Sequence, residues 1–246
     1  MKYRSVLYAN YHTTQSGRAA LTDAQTLFNR EKWQFKNEII PLLGDLPKNA
    51  AIFDMGCGSG SLLQALKDAG FQQLMGMDVS AEQVEMAHSL GVKEIVLGDA
   101  MAYLREHPAA FQLITGMDII EHFTKDELVE LLQLIQSALK PGGRAIFRTP
   151  NMDAPMATVF SQGDFTHENY LNASSAQQVM LACGYPQVEV KPSHMQIASP
   201  WKELLRKILY SAVELRTKIT LFATARSSRN IVFTPNMIII GKKWNP

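Results

Sequence analysis

Asp54-Met55-Gly56-Cys57-Gly58-Ser59-Gly60 stands where the apolar run Ala51 to Met55 ends and a helical pattern opens at Ser61. Glycines at alternate positions free the backbone for a tight turn. They also let it approach a ligand closely, because a Cβ there would occupy the ligand's space. A glycine-rich loop can equally be a plain turn, so the pattern around it has to decide. The dinucleotide fingerprint places its third glycine one position later, where this chain has Ser61, so the loop is offset from the nicotinamide and flavin pattern.

Outward from the loop, short apolar runs alternate with helical periodicity. Runs at Ala51 to Met55, Gln73 to Met77, Glu94 to Leu97, Phe111 to Thr115 and Arg144 to Arg148 read as buried strands. Between them, helices are expected at Ser61 to Ala69, Ala81 to Leu90, Ala100 to Glu106 and Lys125 to Leu139. In the last of these Leu128, Leu131, Leu132, Ile135 and Leu139 share one stripe, and Pro141-Gly142-Gly143 stops it. Strand, helix, strand repeated in this way predicts a parallel sheet covered on both faces. Further along, a helix is expected at Ser174 to Cys183, closed by Gly184, with strands at Val188 to Lys191 and Met237 to Gly241. Before the first strand, a polar lead rich in tyrosine (Tyr3, Tyr8, Tyr11) runs into a helix expected from Thr22 to Leu43.

Two further acids close expected strands. Asp78 ends the second, where a carboxylate can accept hydrogen bonds from vicinal ribose hydroxyls; as a helix cap it would be redundant with Ser80. Asp99 follows the third and suits either an exocyclic adenine amine or a helix cap. Successive strands delivering such groups to one edge mark the crevice where open α/β sheets bind ligands.

On these residues the chain resembles the class I S-adenosylmethionine-dependent methyltransferases, over roughly residues 52–185. Gly116-Met117-Asp118-Ile119-Ile120-Glu121-His122 looks like that family's fourth-strand motif, and Lys140-Pro141-Gly142-Gly143 like the turn before its fifth strand. The resemblance implies an α/β, Rossmann-like sheet of seven strands in the order 3-2-1-4-5-7-6, mostly parallel, the last antiparallel. It implies S-adenosylmethionine as cofactor, held by Asp54, Gly56, Cys57, Gly58, Gly60, Asp78, Val79, Asp99, Ala100 and Met117. The division expected is one domain: a helical cap at 1–45, a cofactor-binding core at 51–193, a helical insertion at 194–235 and a final strand at 236–246.

Composition narrows the class. With 246 residues, 46% hydrophobic, 19% charged and a formal net charge of +1, the chain is ordinary globular protein with no general affinity for nucleic acid. Two cysteines, Cys57 and Cys183, imply neither a disulfide framework nor a zinc site and fit a reducing, cytoplasmic setting. No signal-peptide pattern and no spanning apolar stretch is seen, so secretion and membrane spanning are not expected.

Methyl transfer from a sulfonium is an in-line displacement that needs alignment above all, and for a hydroxyl acceptor a base helps. His122, beside Glu121 just past the fourth strand, and His167, in Gly163-Asp164-Phe165-Thr166-His167-Glu168, are the candidate bases. The structural alternatives are a histidine bonded to backbone and a solvated loop histidine. Tyr11 and His12 are candidates to fold over the cofactor. The remaining histidines, His88, His107 and His194, show no clustered spacing. No metal site is expected, since Asp118 and Glu121 lack a third ligand for magnesium. Thr149-Pro150-Asn151, His167 and Ala182-Cys183-Gly184-Tyr185 resemble methyltransferases of quinone, surface-glycan and secondary-metabolite pathways. That favours an oxygen on a small molecule or sugar, with nitrogen or carbon acceptors, or binding without turnover, as the alternatives.

Residues 201–229 carry seven cations, Lys202, Arg206, Lys207, Arg216, Lys218, Arg226 and Arg229, against Glu203 and Glu214. Trp201 to Phe222 forms an amphipathic helix, expected as a lid over the acceptor pocket, with a protein interface or a peripheral membrane contact as the other readings.

Overall fold

A computed structural model of the chain describes residues 6–7, 23–197 and 199–245. Tyr3, Tyr8, Tyr11 and His12 lie outside the described residues, as does Thr22. Seven strands form one sheet: β1 (Ala51–Met55), β2 (Gln73–Asp78), β3 (Ile95–Leu97), β4 (Phe111–Met117), β5 (Leu139–Pro150), β6 (Gln187–Pro192) and β7 (Asn236–Lys242). Their order is β3-β2-β1-β4-β5-β7-β6, and β7 runs antiparallel to both β5 and β6. This is the expected order and direction. The described helices are α1 (Ala24–Glu38), α2 (Ser61–Asp68), α3 (Ala81–Ser89), α4 (Ala100–Glu106), α5 (Lys125–Ala138), α6 (Ala157–Ser161), α7 (Ala173–Ala182) and α8 (Pro200–Ala223).

Alternation along each inner strand splits the core into two layers. Ile52, Leu113, Ile146 and Ile238 face one side, packed with Phe28, Phe35, Leu62, Leu66 and Val84 of α1 to α3. Their neighbours Phe53, Ile114, Phe147 and Ile239 face the other, against Leu128, Leu132, Ile135 and Met180 of α5 and α7. Both faces being covered is why these strands read as continuous apolar runs rather than as alternating ones. Tyr185, fully buried, donates its hydroxyl to Leu132 O at 2.9 Å and so fixes the α7 exit to α5.

Helix starts follow local chemistry. Thr124 and Glu127 form a reciprocal capping box at α5, and Ser80 caps α3 by accepting from Gln83 N. β5 is longer than its sequence pattern: it begins at Leu139, directly after α5. Its pairing with β4 jumps from Phe111↔Leu139 to Leu113↔Arg144, so residues 140–143 loop out between the two pairs. Pro141-Gly142-Gly143 thus kinks a strand instead of preceding one, with Gly142 at φ 72°.

Candidate active site

The carboxyl ends of β1, β2, β3 and β4 open into two adjoining cavities. The larger, about 460 Å³, is lined by Asp78, Val79, Gly98, Asp99, Ala100 and His122, among others. The smaller, about 230 Å³, is lined by Glu31, Asp54, Cys57, Ser59, Met117 and Arg148, among others. Gly56, Gly58, Gln83 and Asp118 line both and form the sill between them.

Each glycine of the loop has a left-handed φ, 62° at Gly56, 52° at Gly58 and 79° at Gly60. Their surroundings differ. A Cβ on Gly56 would strike Ile119 at 2.8 Å, and one on Gly60 would strike Ile95 at 2.6 Å and Val92 at 2.9 Å. Those two positions are glycine because protein packs against them, and Gly60 lines neither cavity. Only Gly58 has open space beside it, its nearest neighbour being Gln83 Oε1 at 3.9 Å.

Asp78 serves the loop itself. It accepts from Gly58 N at 2.8 Å and from Ser80 N at 2.9 Å, one bond on each carboxylate oxygen. Burial raises its pKa, and those backbone donors oppose the rise. Asp99 caps α4, with Oδ1 accepting from Met101 N at 2.8 Å and Ala102 N at 3.3 Å. Asp99 is thus a cap, and it also lines the larger cavity. Asp54 is buried under the smaller cavity and accepts from Thr115 Oγ1 at 2.7 Å. Desolvation pushes its carboxyl up to about 7, against the Thr115 bond and with added repulsion from Asp78.

Arg148 is a functional candidate that the sequence pattern did not single out. Its Nε lies 3.1 and 3.0 Å from the two oxygens of Asp118, its Nη1 lies 3.2 Å from Glu38 Oε2, and it stacks over Phe35. The signal was available: a guanidinium at the end of the apolar run Ala145-Ile146-Phe147 requires buried acids to meet it. Asp118, weighed above with magnesium in mind, is engaged by this arginine. Glu121 is buried and accepts from Thr149 Oγ1 at 3.0 Å, and desolvation raises its pKa well above the usual carboxylate range.

The two candidate bases come together. His122 and His167 stand edge to face with ring centroids 4.8 Å apart. Thr166 Oγ1 lies 2.7 Å from Asp164 Oδ1 and 2.8 Å from His122 Nδ1. A carboxylate only accepts, so the single hydroxyl proton goes to Asp164. Nδ1 of His122 therefore carries its hydrogen and donates to Thr166, which leaves the lone pair on Nε2. His167 Nδ1 likewise donates to Ser161 O at 2.7 Å. Desolvation, helped by repulsion from His167, lowers the pKa of His122 to about 4. His122 lines the larger cavity, whereas His167 lines neither. Carboxylate and imidazole atoms of Glu121, His122 and His167 lie within 4.8 Å of one another, a metal-type grouping that sequence reading did not assemble. Asp164 and Thr166 were quoted only as neighbours of His167, because nothing local ties them to a histidine 44 residues earlier.

The fold and this cleft define a class. A methyltransferase-domain family model matches residues 28–224, and the chain belongs to that family. It is 29% identical over 140 residues to a ubiquinone biosynthesis O-methyltransferase of Pectobacterium carotovorum, covering 50% of this chain and 57% of that protein. It is 33% identical over 140 residues to the Pseudoalteromonas translucida protein of the same name, covering 49% and 58%. The chain thus spans somewhat more than half the length of these relatives. Among solved structures, a SAM-dependent methyltransferase from Archaeoglobus fulgidus shares the fold with a TM-score of 0.65 at 21% identity, over 88% of this chain and 94% of that one. Phosphoethanolamine N-methyltransferase 2 of Haemonchus contortus, in complex with S-adenosyl-L-methionine, gives 0.63 at 17% identity, over 96% and 60%.

Proposed function

We propose that this chain transfers a methyl group from S-adenosylmethionine to a hydroxyl of a small molecule or sugar, with His122 as the base. The observation that carries the proposal is that His122 lines the same cavity as Asp78 and Asp99 and is oriented from behind by Thr166 and Asp164. The residues present fit the cofactor. Space lies open beside Gly58, so the backbone is bare where a ligand would cross from one cavity to the other. Asp78 and Asp99 offer acceptors for ribose hydroxyls and an adenine amine. Glu31, Asp54 and Arg148 offer both signs of charge for an amino-acid zwitterion.

When bound, the cofactor supplies a methyl group on a sulfonium, an intrinsically good leaving group. The protein's part is then to hold, to orient and to take one proton. Gly56, Cys57, Gly58, Val79, Ala100 and Met117 shape the walls, while Gly60 acts indirectly by letting Val92 and Ile95 close beneath the loop. His122 stays neutral at physiological pH and is the group placed to take the proton of an acceptor hydroxyl, and Thr166 passes its orientation from Asp164. Burial, with His167 packed against it, disfavours the charged form of His122 and so keeps it a base.

Oxygen is favoured as the acceptor atom because the curated relatives are named as O-methyltransferases. The test is calorimetric titration with S-adenosylhomocysteine and with NADH, followed by a radiolabelled methyl-transfer screen over phenols, sugars and lipid-linked intermediates. Binding of the first and not the second, with transfer to a hydroxyl that falls at least tenfold in His122→Ala, is expected. Binding of NADH alone would reject the proposal, and binding without transfer to any acceptor would leave only a cofactor-binding protein.

A further inference from the structure

α8 is turned inside out. At 3.6 residues per turn, Trp201, Leu204, Ile208, Leu215, Ile219 and Phe222 fall on one stripe. In a globular protein that stripe faces the core. Here it faces away: Trp201 is 66% exposed, Ile208 60% and Phe222 85%, and no residue of the helix is buried. The half-buried positions are Glu203, Arg206, Tyr210, Glu214, Thr217 and Leu221, which recur on the opposite side of the helix. That polar side faces inward and bonds to the segment that leads into the helix. Glu203 accepts from Ile197 N at 3.0 Å, Arg206 donates to Met195 O at 3.0 Å, and the Tyr210 hydroxyl is buried. A lid would need the stripe to turn inward, and no residue of α8 lines either cavity.

The charges are sorted along the same axis. Lys207 and Lys218 border the apolar stripe on one edge, Lys202 and Arg216 on the other, and Arg226 and Arg229 follow the helix end. Both acids lie on the side toward the body, where Glu203 is held by Arg206 and at 3.7 Å by Lys207, and Glu214 by Lys218 at 2.7 Å. Long cationic side chains at the rim of an apolar stripe can lay their methylenes on hydrocarbon and their charges among phosphates. No helix among the described residues is long and apolar enough to cross a membrane.

We propose that α8 lies in the surface of a membrane rich in anionic lipid, its apolar stripe among the upper acyl chains and its rim cations on the headgroups. A second copy of this chain is the poorer occupant, because stacking two such faces brings like-charged rims together. The proposal is independent of the methyl-transfer reading.

The test is flotation of the full-length protein with vesicles of phosphatidylcholine alone and with 30% phosphatidylglycerol. At least tenfold more protein should float with the anionic vesicles at 0.1 M salt, and most of that excess should vanish at 0.5 M. Trp201 fluorescence should shift to the blue on binding, and the shift should be absent in Trp201→Phe. The double variant Ile208→Glu, Leu215→Glu changes only exposed positions, so it should fold, bind S-adenosylhomocysteine as the parent does, and fail to float. Equal flotation with both vesicle types, or unimpaired flotation of the double variant, overturns the proposal. So does a parental dimer that the double variant converts to monomer without any vesicle binding, which would assign the stripe to a second copy.

Discussion

Arg148 grips Asp118 through Nε at 3.1 and 3.0 Å while Asp118 sits in a left-handed backbone conformation with φ 52°. The residue that follows β4 is thus held in a sparsely populated geometry by a guanidinium on β5, and it forms part of the sill between the two cavities. An unfavourable backbone of this kind persists where surrounding contacts over-determine it. The other partner of Arg148, Glu38, is anchored in turn by Ser193 Oγ and by His194 N at 2.8 Å. α1 and the β6 exit are tied to the same arginine through it.

Removing that arginine strands two acids. Arg148→Ala should lower the free energy of unfolding by about 3 to 5 kcal/mol, the usual cost of leaving buried charge unpaired. Urea denaturation measures it. Asp118→Ala should cost less, because Arg148 keeps Glu38, and Asp118→Gly less again because glycine relieves the positive φ.

Asp78→Ala should weaken S-adenosylhomocysteine binding by about 1 to 3 kcal/mol in calorimetry. The Gly58 N–H loses its acceptor along with any ligand hydroxyl. Asp99→Ala should weaken binding and also destabilise α4 by about 1 kcal/mol, because the cap is lost. Unchanged affinity in Asp78→Ala would remove its ligand role.

Asp54, with its carboxyl pushed up to about 7, should make cofactor binding depend on pH. A folded pKa raised above the unfolded value means that the native state retains a proton through the window from about 4 to 7. A cationic ligand favours the ionised form, so affinity should rise roughly 3- to 10-fold between pH 6 and pH 8. Asp54→Asn should flatten most of that slope. On stability the same shift acts in the opposite sense: its contribution is full below the unfolded pKa and lost as pH rises through 7.

His122 predicts a different profile. With a pKa near 4 it is neutral throughout the physiological range, so turnover should be flat with respect to this group from pH 5.5 upward. Between its folded value and the unfolded value near 6.5 the unfolded chain binds the extra proton. Stability is therefore full above about 6.5 and falls as pH drops toward 4, by roughly 2 to 3 kcal/mol. Comparing urea midpoints of the parent and His122→Asn at pH 7 and pH 5 isolates that contribution.

Thr166→Val keeps the shape and removes the hydroxyl between Asp164 and His122. Turnover should fall by about 10- to 100-fold with S-adenosylhomocysteine affinity intact, and Thr166→Ser should restore most of it. Loss of cofactor binding in Thr166→Val would instead give Thr166 a purely structural part.

The sheet was legible in the sequence because each of its signals is local. An apolar run, a loop at its end and an acid beside it are neighbours in the chain, as in Met77-Asp78 or Gly98-Asp99. Strand order and the antiparallel β7 followed from the family likeness rather than from spacing. The remainder depends on pairs distant in sequence. Arg148 meets a glutamate 110 residues earlier, and His122 meets a threonine 44 residues later, and no periodicity encodes either pairing. The glycines show the same limit from the other side: sequence marked Gly56, Gly58 and Gly60 alike, while packing separates Gly58 from the other two. For α8 the amphipathic stripe was evident, but which way it points goes with the half-buried Glu203, Arg206 and Tyr210, of which the first two bond to the segment that leads into the helix.

β7 lies between β5 and β6 rather than at a rim, and its Ile238 and Ile239 reach into opposite core layers. During synthesis the sheet therefore waits for residues 236–242, holding β5 and β6 apart with open inner edges until they emerge. A chain stopped short of Asn236 is not a trimmed domain but one with a slot through its middle. Such a slot invites any extended strand, including that of a neighbouring molecule, to fill it.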